Sequence, residues 1–137
     1  MTAASAAAKP DQVVYLDTSA AVKLISDERE SVGLRSYLDH EVTVVSSDLL
    51  ETELRRIGVR HHIDQVLITS VLDGVTMTPL SRDQFREAGL YPQPGLRSLD
   101  ALHLAGALGV DASAILTYDI RLAEAARAHG VEVVSPE

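Results

Sequence analysis

The chain has 137 residues, 46% of them hydrophobic, which fits one compact domain with a sizeable core. It contains no cysteine, which excludes disulfides, thiolate metal sites and cysteine nucleophiles, and no apolar run approaches the roughly 20 residues that span a bilayer. Twelve Lys and Arg against twenty Asp and Glu leave a net charge of -8, which argues against binding nucleic acid through overall charge but leaves room for a local basic groove.

Met1 to Gln12 is Ala-rich and lacks the basic start and long apolar middle of a secretion signal, so residues 1–12 read as a flexible tail on a cytoplasmic protein and 13–137 as the domain. Val13 to Leu16 is a continuous apolar run, as expected for a strand covered on both faces of a parallel sheet. A helix follows to about Ser26, with Thr18 or Ser19 as its cap. Glu30 to Asp39 reads as a second helix and Val42 to Ser46 as the second buried strand. Asp48-Leu49-Leu50-Glu51 has the form of a capping box opening a helix to about Arg60. Ile63 to Asp73 continues helical and stops at Gly74.

Val75 to Leu80 is a third strand, and the capping box Ser81 to Gln84 opens a short helix ending at Gly89. Leu90 to Arg97, with two prolines and a glycine, is the one long loop. Ser98 to Leu108 is a helix, Ala114 to Tyr118 a strand, Ile120 to His129 a helix, and Val131 to Val134 a final short strand. Strands alternating with helices predict an α/β domain with a mainly parallel sheet.

Four acids stand where charge is awkward. Asp17 and Asp119 each follow an apolar strand, where sites of parallel α/β sheets form. The plain alternative for each is a helix N-cap, but Thr18 and Ser19 offer equal caps and leave Asp17 free. Helical phase puts Glu53 between Leu49 and Ile57 in the apolar stripe, whereas Glu51 lies on the far side with Arg55 as an i+4 partner. A bland role for Glu53 is a pair with Arg56 or Arg60. Asp100 opens a helix that is apolar nearly all round, where the helix dipole alone would favour it.

Gathered together, the four acids would repel one another unless one or two divalent cations intervened, and oxygen ligands favour Mg2+ or Mn2+. Such a site suits phosphodiester hydrolysis by metal-activated water. Ser19 and Thr117 are placed to support the acids with hydroxyls, although both residue types also cap helices and pack in strands. His103, alone in a buried helix, reads as a satisfied core residue, and His61-His62 as a solvated helix end.

The segments Tyr-Leu-Asp17-Thr-Ser-Ala, Ser-Ser-Asp-Leu-Leu-Glu-Thr-Glu53-Leu-Arg-Arg, Leu-Arg-Ser-Leu-Asp100-Ala-Leu-His-Leu-Ala and Thr-Tyr-Asp119-Ile-Arg-Leu-Ala resemble the four acidic motifs of the PIN-domain ribonucleases, in particular VapC-type toxins of toxin-antitoxin systems. The resemblance runs in order from Val13 to Pro136. It implies a PIN-like three-layer αβα sandwich with Mg2+ or Mn2+ bound by Asp17, Glu53, Asp100 and Asp119. It also implies cleavage of structured RNA of the tRNA or rRNA class, a homodimer, and silencing by a cognate VapB-type antitoxin whose tail occupies the active-site groove.

Ten of the twelve bases are Arg, whose fork of donors suits phosphate. Arg55, Arg56 and Arg60 follow Glu53, Arg97 precedes Asp100 and Arg121 follows Asp119, which predicts a local RNA-binding rim carried by Arg56, Arg97 and Arg121. A solvated helix face is the alternative for these bases. A phosphoacceptor receiver domain would want paired acids after the first strand and a late Lys, and a haloacid-dehalogenase-like phosphatase an Asp-x-Asp; neither is present. The rival from another class is a non-catalytic acidic module that binds a basic partner.

Overall fold

The structure, a computed structural model, describes residues 12–137, so the tail expected over residues 1–12 lies outside it except for Gln12, whose carbonyl accepts from the Thr43 amide at 2.9 Å. The described chain runs β1 (Val13–Leu16), α1 (Thr18–Ile25), α2 (Ser31–Leu38), β2 (Thr43–Ser47), α3 (Leu49–His61), α4 (Gln65–Asp73), β3 (Thr76–Thr78), α5 (Arg82–Leu90), α6 (Ser98–Gly109), β4 (Ala114–Leu116), α7 (Ile120–Ala128) and β5 (Glu132–Val134). The five strands form one parallel sheet in the order β3-β2-β1-β4-β5. Among the described residues no helix is long and apolar enough to cross a membrane.

Alternation along β1 builds the two sides of the core. Val14 and Leu16 face a layer containing Ala20, Ala21, Ile25, Leu34, Leu50, Leu54, Ile68 and Leu72 from α1 to α4. Tyr15 faces the opposite way, into Leu104 and Ala107 of α6 and Leu122, Ala125 and Ala126 of α7. Helices thus cover both faces of the sheet, giving an α/β sandwich. With β1 in the middle, the connections leave it in opposite directions toward β2 and β4, which opens a crevice at the carboxyl ends of those strands.

Several elements differ from the sequence reading, each for a local reason. Asp48 precedes α3 in helical backbone and makes no side-chain capping bond, so the capping box expected with Glu51 does not form. Glu51 instead pairs with Arg55. A left-handed residue, His62 with φ 56°, ends α3, and Asp64 caps a separate α4 through the Val66 amide. The third strand is only Thr76–Thr78 because the Val75 amide is held by the Leu72 carbonyl, within the preceding turn. The strand expected to reach Tyr118 stops at Leu116, since the Tyr118 and Asp119 amides bond to the side chains of Ser19 and Thr117. Ser81 and Gln84 do form their reciprocal capping box, and α5 runs one residue past Gly89.

Gly106 lets α6 lie close against the sheet. A Cβ there would stand 2.9 Å from Tyr15 Oη and 3.0 Å from its Cε2. Tyr15 is wholly buried and cannot swing aside freely. Gly106→Ala is therefore expected to lower the urea midpoint by the equivalent of about 1–3 kcal/mol, despite the better helix propensity of Ala. A variant as stable as the parent would show that α6 can retreat from Tyr15.

Candidate active site

Asp17 and Asp119 stand at the carboxyl ends of β1 and β4, and Glu53 and Asp100 come toward them from α3 and α6. Asp17 follows β1 directly and is only 2% exposed. The expectation that Thr18 or Ser19 would cap α1 is wrong: Asp17 itself is the N-cap, its Oδ1 accepting from the Ala20 amide at 2.8 Å. Ser19 Oγ donates to both Asp17 oxygens at 2.8 and 2.9 Å, and Thr117 Oγ1 donates to Oδ2 at 2.5 Å. Burial nevertheless pushes the Asp17 carboxyl above the ordinary aspartate range, against the opposing bonds from Thr117 and Ala20.

Asp119 mirrors this at the end of β4. Its Oδ1 caps α7 through the Leu122 amide at 2.9 Å, and its own amide bonds to Thr117 Oγ1 at 3.0 Å. One hydroxyl, that of Thr117, thus ties together the two strand-end acids. Capping and facing the crevice are compatible in both, because the cap occupies one carboxylate oxygen.

Asp100 enters from the first turn of α6, half-buried. Its carboxyl is pushed up to about 6, first by burial and then by the charges of Asp119 and Asp17, with a lesser push from Glu53. That ordering places the other three acids within electrostatic reach of it. Glu53 comes from the second turn of α3, on the stripe that carries buried Leu50 and Leu54. It pairs with neither Arg56 nor Arg60. Its Oε1 accepts from Thr18 Oγ1 at 2.8 Å and lies 2.7 Å from His103 Nε2. Burial drives the Glu53 carboxyl up, but the bonds from His103 and Thr18 win and hold it below the usual glutamate value.

His103 is the residue that the sequence reading underrated. It is 1% exposed, as a core residue would be, yet both ring nitrogens face polar partners: Tyr15 Oη at 2.7 Å on Nδ1 and Glu53 on Nε2. The available signal was its spacing from Asp100, since residues three apart share a helix face. Tyr15 carried no such signal, because strand alternation points it away from Leu16 and toward α6.

The bases divide. Arg55 is occupied by Glu51, Gln65 and Thr69 and is a structural clamp between α3 and α4. Arg56, Arg97 and Arg121 are exposed and form no ion pair among the described residues. The side chain of Arg121 lies beside Gly95, so the loop before α6 and the start of α7 meet. Beside Glu53 runs an apolar groove lined by Leu49, Pro79, Leu80, Phe85 and Leu99.

The donor set fits a hard divalent cation. Asp17, Glu53, Asp100 and Asp119 have no Lys or Arg ion-pair partner among the described residues, and the Asp100 carboxyl is raised by burial first and by its acidic neighbours next. No three His, Asp or Glu side chains among the described residues are already drawn together closely enough to hold an ion. The oxygens of Asp17 accept from the Ser19 and Thr117 hydroxyls and the Ala20 amide, which keeps them in their present orientation.

The PIN domain family matches residues 14–128. Ribonuclease VapC35 of Mycobacterium tuberculosis is 41% identical over 132 residues, spanning 90% of this chain and 97% of its own length. Ribonuclease VapC46 of the same organism is 38% identical over 139 residues, with the same shares of the two chains. Among solved structures, Mycobacterium tuberculosis VapC20, a Sarcin-Ricin loop cleaving toxin, aligns with a TM-score of 0.69 at 14% identity over 82% of this chain and 94% of that one. VapBC2 from Rickettsia felis, bound to a DNA fragment from their promoter, aligns at 0.66 with 19% identity over 92% of this chain and 100% of the other. At those identities the two structures speak for the fold, whereas the family match and the two ribonucleases carry the assignment: the chain belongs to the PIN-domain family as a VapC-type ribonuclease.

Proposed function

We propose that the protein is a metal-dependent endoribonuclease toxin of the cytoplasm, acting on structured RNA of the tRNA or rRNA class and held in check by a cognate VapB-type antitoxin. The observation that carries the reading is the unneutralised acid cluster at the strand ends, with Asp100 pushed up to about 6 by burial and by its acidic neighbours. Asp17, Glu53, Asp100 and Asp119 would hold Mg2+ or Mn2+. When bound, the ion supplies Lewis acidity at the scissile phosphate and makes water a competent nucleophile at neutral pH.

The chain's own residues provide the rest. Ser19 and Thr117 orient the Asp17 carboxylate, and the Thr117 hydroxyl fixes the start of α7 so that Asp119 faces the same crevice. The domain occupies residues 13–137 in this reading and acts as a homodimer. The apolar groove beside Glu53 supports a protein partner whose segment reaches the acids, as an antitoxin tail would.

Induced expression followed by sequencing of new RNA 5′ ends tests the function directly. Discrete cleavage sites are expected with the parent chain and none with Asp100→Asn. A parent chain that binds no metal and cuts no RNA from its own cell would favour the non-catalytic acidic module instead.

Arg97 and Arg121 are proposed as phosphate ligands at the rim. Replacing each by Ala is expected to weaken RNA binding across sequences, and to flatten the plot of log affinity against log salt by about 0.7–0.9 for each phosphate that is no longer neutralised. Cleavage at saturating RNA should be retained. An unchanged salt slope in the double variant would place both side chains on a solvated face.

A further inference from the structure

Tyr15, His103 and Glu53 form a buried chain of hydrogen bonds linking the middle of the sheet to the acid cluster. Tyr15 Oη accepts from the Ser47 amide at 3.2 Å and lies 2.7 Å from His103 Nδ1. A phenol carries its proton at neutral pH. The neighbouring Ser46 hydroxyl is already committed to the Leu16 carbonyl at 2.7 Å. The phenol is thus tied to both the Ser47 backbone and His103, with the buried Ser47 hydroxyl, which has no hydrogen-bond partner of its own among the described residues, beside it. On the far side of the ring Nε2 points at Glu53 Oε1, 2.7 Å away, and because a carboxylate only accepts, Nε2 carries the proton of that bond.

Thr18 Oγ1 completes the arrangement by donating to the same Glu53 oxygen at 2.8 Å. Oε1 thus receives two donors, while Oε2 has no hydrogen bond among the described residues.

We propose that Tyr15 and His103 are positioning residues: their relay from the Ser47 amide locks Glu53 by one oxygen and keeps the other available to a divalent cation. The inference rests on the reading of Glu53 as a cation ligand. The partners that orient metal-binding side chains typically matter 10–100-fold for affinity or activity. A histidine present only for packing would leave both unchanged when replaced by an apolar side chain of similar size.

The test begins with metal-free protein labelled with 15N in its histidines. The His103 signals are expected to show a protonated Nε2, and Tyr15→Phe should shift the Nδ1 signal. His103→Leu is expected to weaken Mn2+ binding, titrated with the metal alone, and to lower kcat by roughly 10–100-fold with little change in KM for RNA. His103→Gln, whose amide N–H can reach Glu53, should recover most of both.

An Nε2 that carries no proton in the parent protein overturns the relay. So does a His103→Leu variant that binds Mn2+ like the parent, or an equal loss in the Gln and Leu variants. If the Leu variant does not fold, Tyr15→Phe and His103→Gln decide by the same readouts. A parent protein without metal-dependent cleavage would defeat the nuclease reading, whereas the labelled spectrum still decides the hydrogen-bond relay on its own.

Discussion

Asp100→Asn is expected to abolish Mn2+-dependent RNA cleavage while making the metal-free protein more stable at neutral pH. The loss of activity follows from removing one of four anionic ligands: several kcal/mol of transition-state stabilisation by the cation correspond to a rate fall of about a thousandfold or more. The gain in stability follows from the cost of burying the Asp100 charge, to which its acidic neighbours add. The folded-state carboxyl of Asp100 is raised to about 6 from an ordinary 3.8, by burial first and by Asp119 and Asp17 next. A raised folded value means that its contribution to stability is fully present below the unfolded value and is lost as pH rises between those two numbers.

Above about pH 6 the ionised Asp100 works against the metal-free fold. Because the side chain is only half-buried, solvent screening reduces the effect to about 1–2 kcal/mol. Asn removes the charge and with it that pH dependence. Thermal melts in EDTA at pH 4.5 and 7.5 check this: the variant should gain roughly 3–8 °C over the parent at the higher pH and about a third of that at the lower. Mn2+ should raise the parent's midpoint far more than the variant's. If the variant instead melted below the parent at pH 7.5 without metal, the acids would not be crowding one another.

Thr117→Val is the second change with a large expected effect. The substitution preserves shape and deletes one hydroxyl in a wholly buried position. That hydroxyl donates to Asp17 Oδ2 at 2.5 Å and accepts from the Asp119 amide at 3.0 Å. Valine would strip a charge-assisted bond from a buried carboxylate and orphan a backbone N–H, at a combined cost of about 2–4 kcal/mol. Thr117 is also the strongest influence holding the Asp17 carboxyl down against burial, so its loss moves that group further up. Protons then compete better with the cation at Asp17. Mn2+ affinity at neutral pH should fall by roughly 10–100-fold and recover as pH is raised, while Thr117→Ser should behave nearly as the parent. Equal Mn2+ affinity in the valine variant would detach Thr117 from the site.

Periodicity made the architecture legible. Continuous apolar runs at Val13–Leu16 and Ala114–Leu116 marked strands covered on both sides, and the order of strands and helices marked the parallel α/β sheet. Helical phase placed Glu53 on the inward stripe of α3, and the structure puts it beside buried Leu50 and Leu54. What phase cannot supply is the partner. Glu53 meets His103 fifty residues later, so a pattern local to either helix contains one half of the pair.

Capping was misread for a related reason. Asp17, Thr18 and Ser19 are chemically equivalent caps, and the choice among them depends on where the backbone leaves β1. Asp17 is in extended backbone and takes the role, while Ser19 is drawn off to Asp17 and the Tyr118 amide. Asp48 shows the converse. It has the spacing of a capping box, but its backbone is already helical, so its carboxylate is not aimed at the first free amides.

The bond between Thr117 and Asp17 joins residues one hundred positions apart across the central pair of strands, β1 and β4. Translation delivers these two residues at opposite ends of the synthesis of the domain. While the ribosome is still extending the chain through α6, β1 lacks one neighbour and Asp17 lacks the hydroxyl that shapes it. A nascent chain therefore carries no assembled crevice, and whatever chemistry the crevice performs begins only after β4 and α7 have emerged and docked.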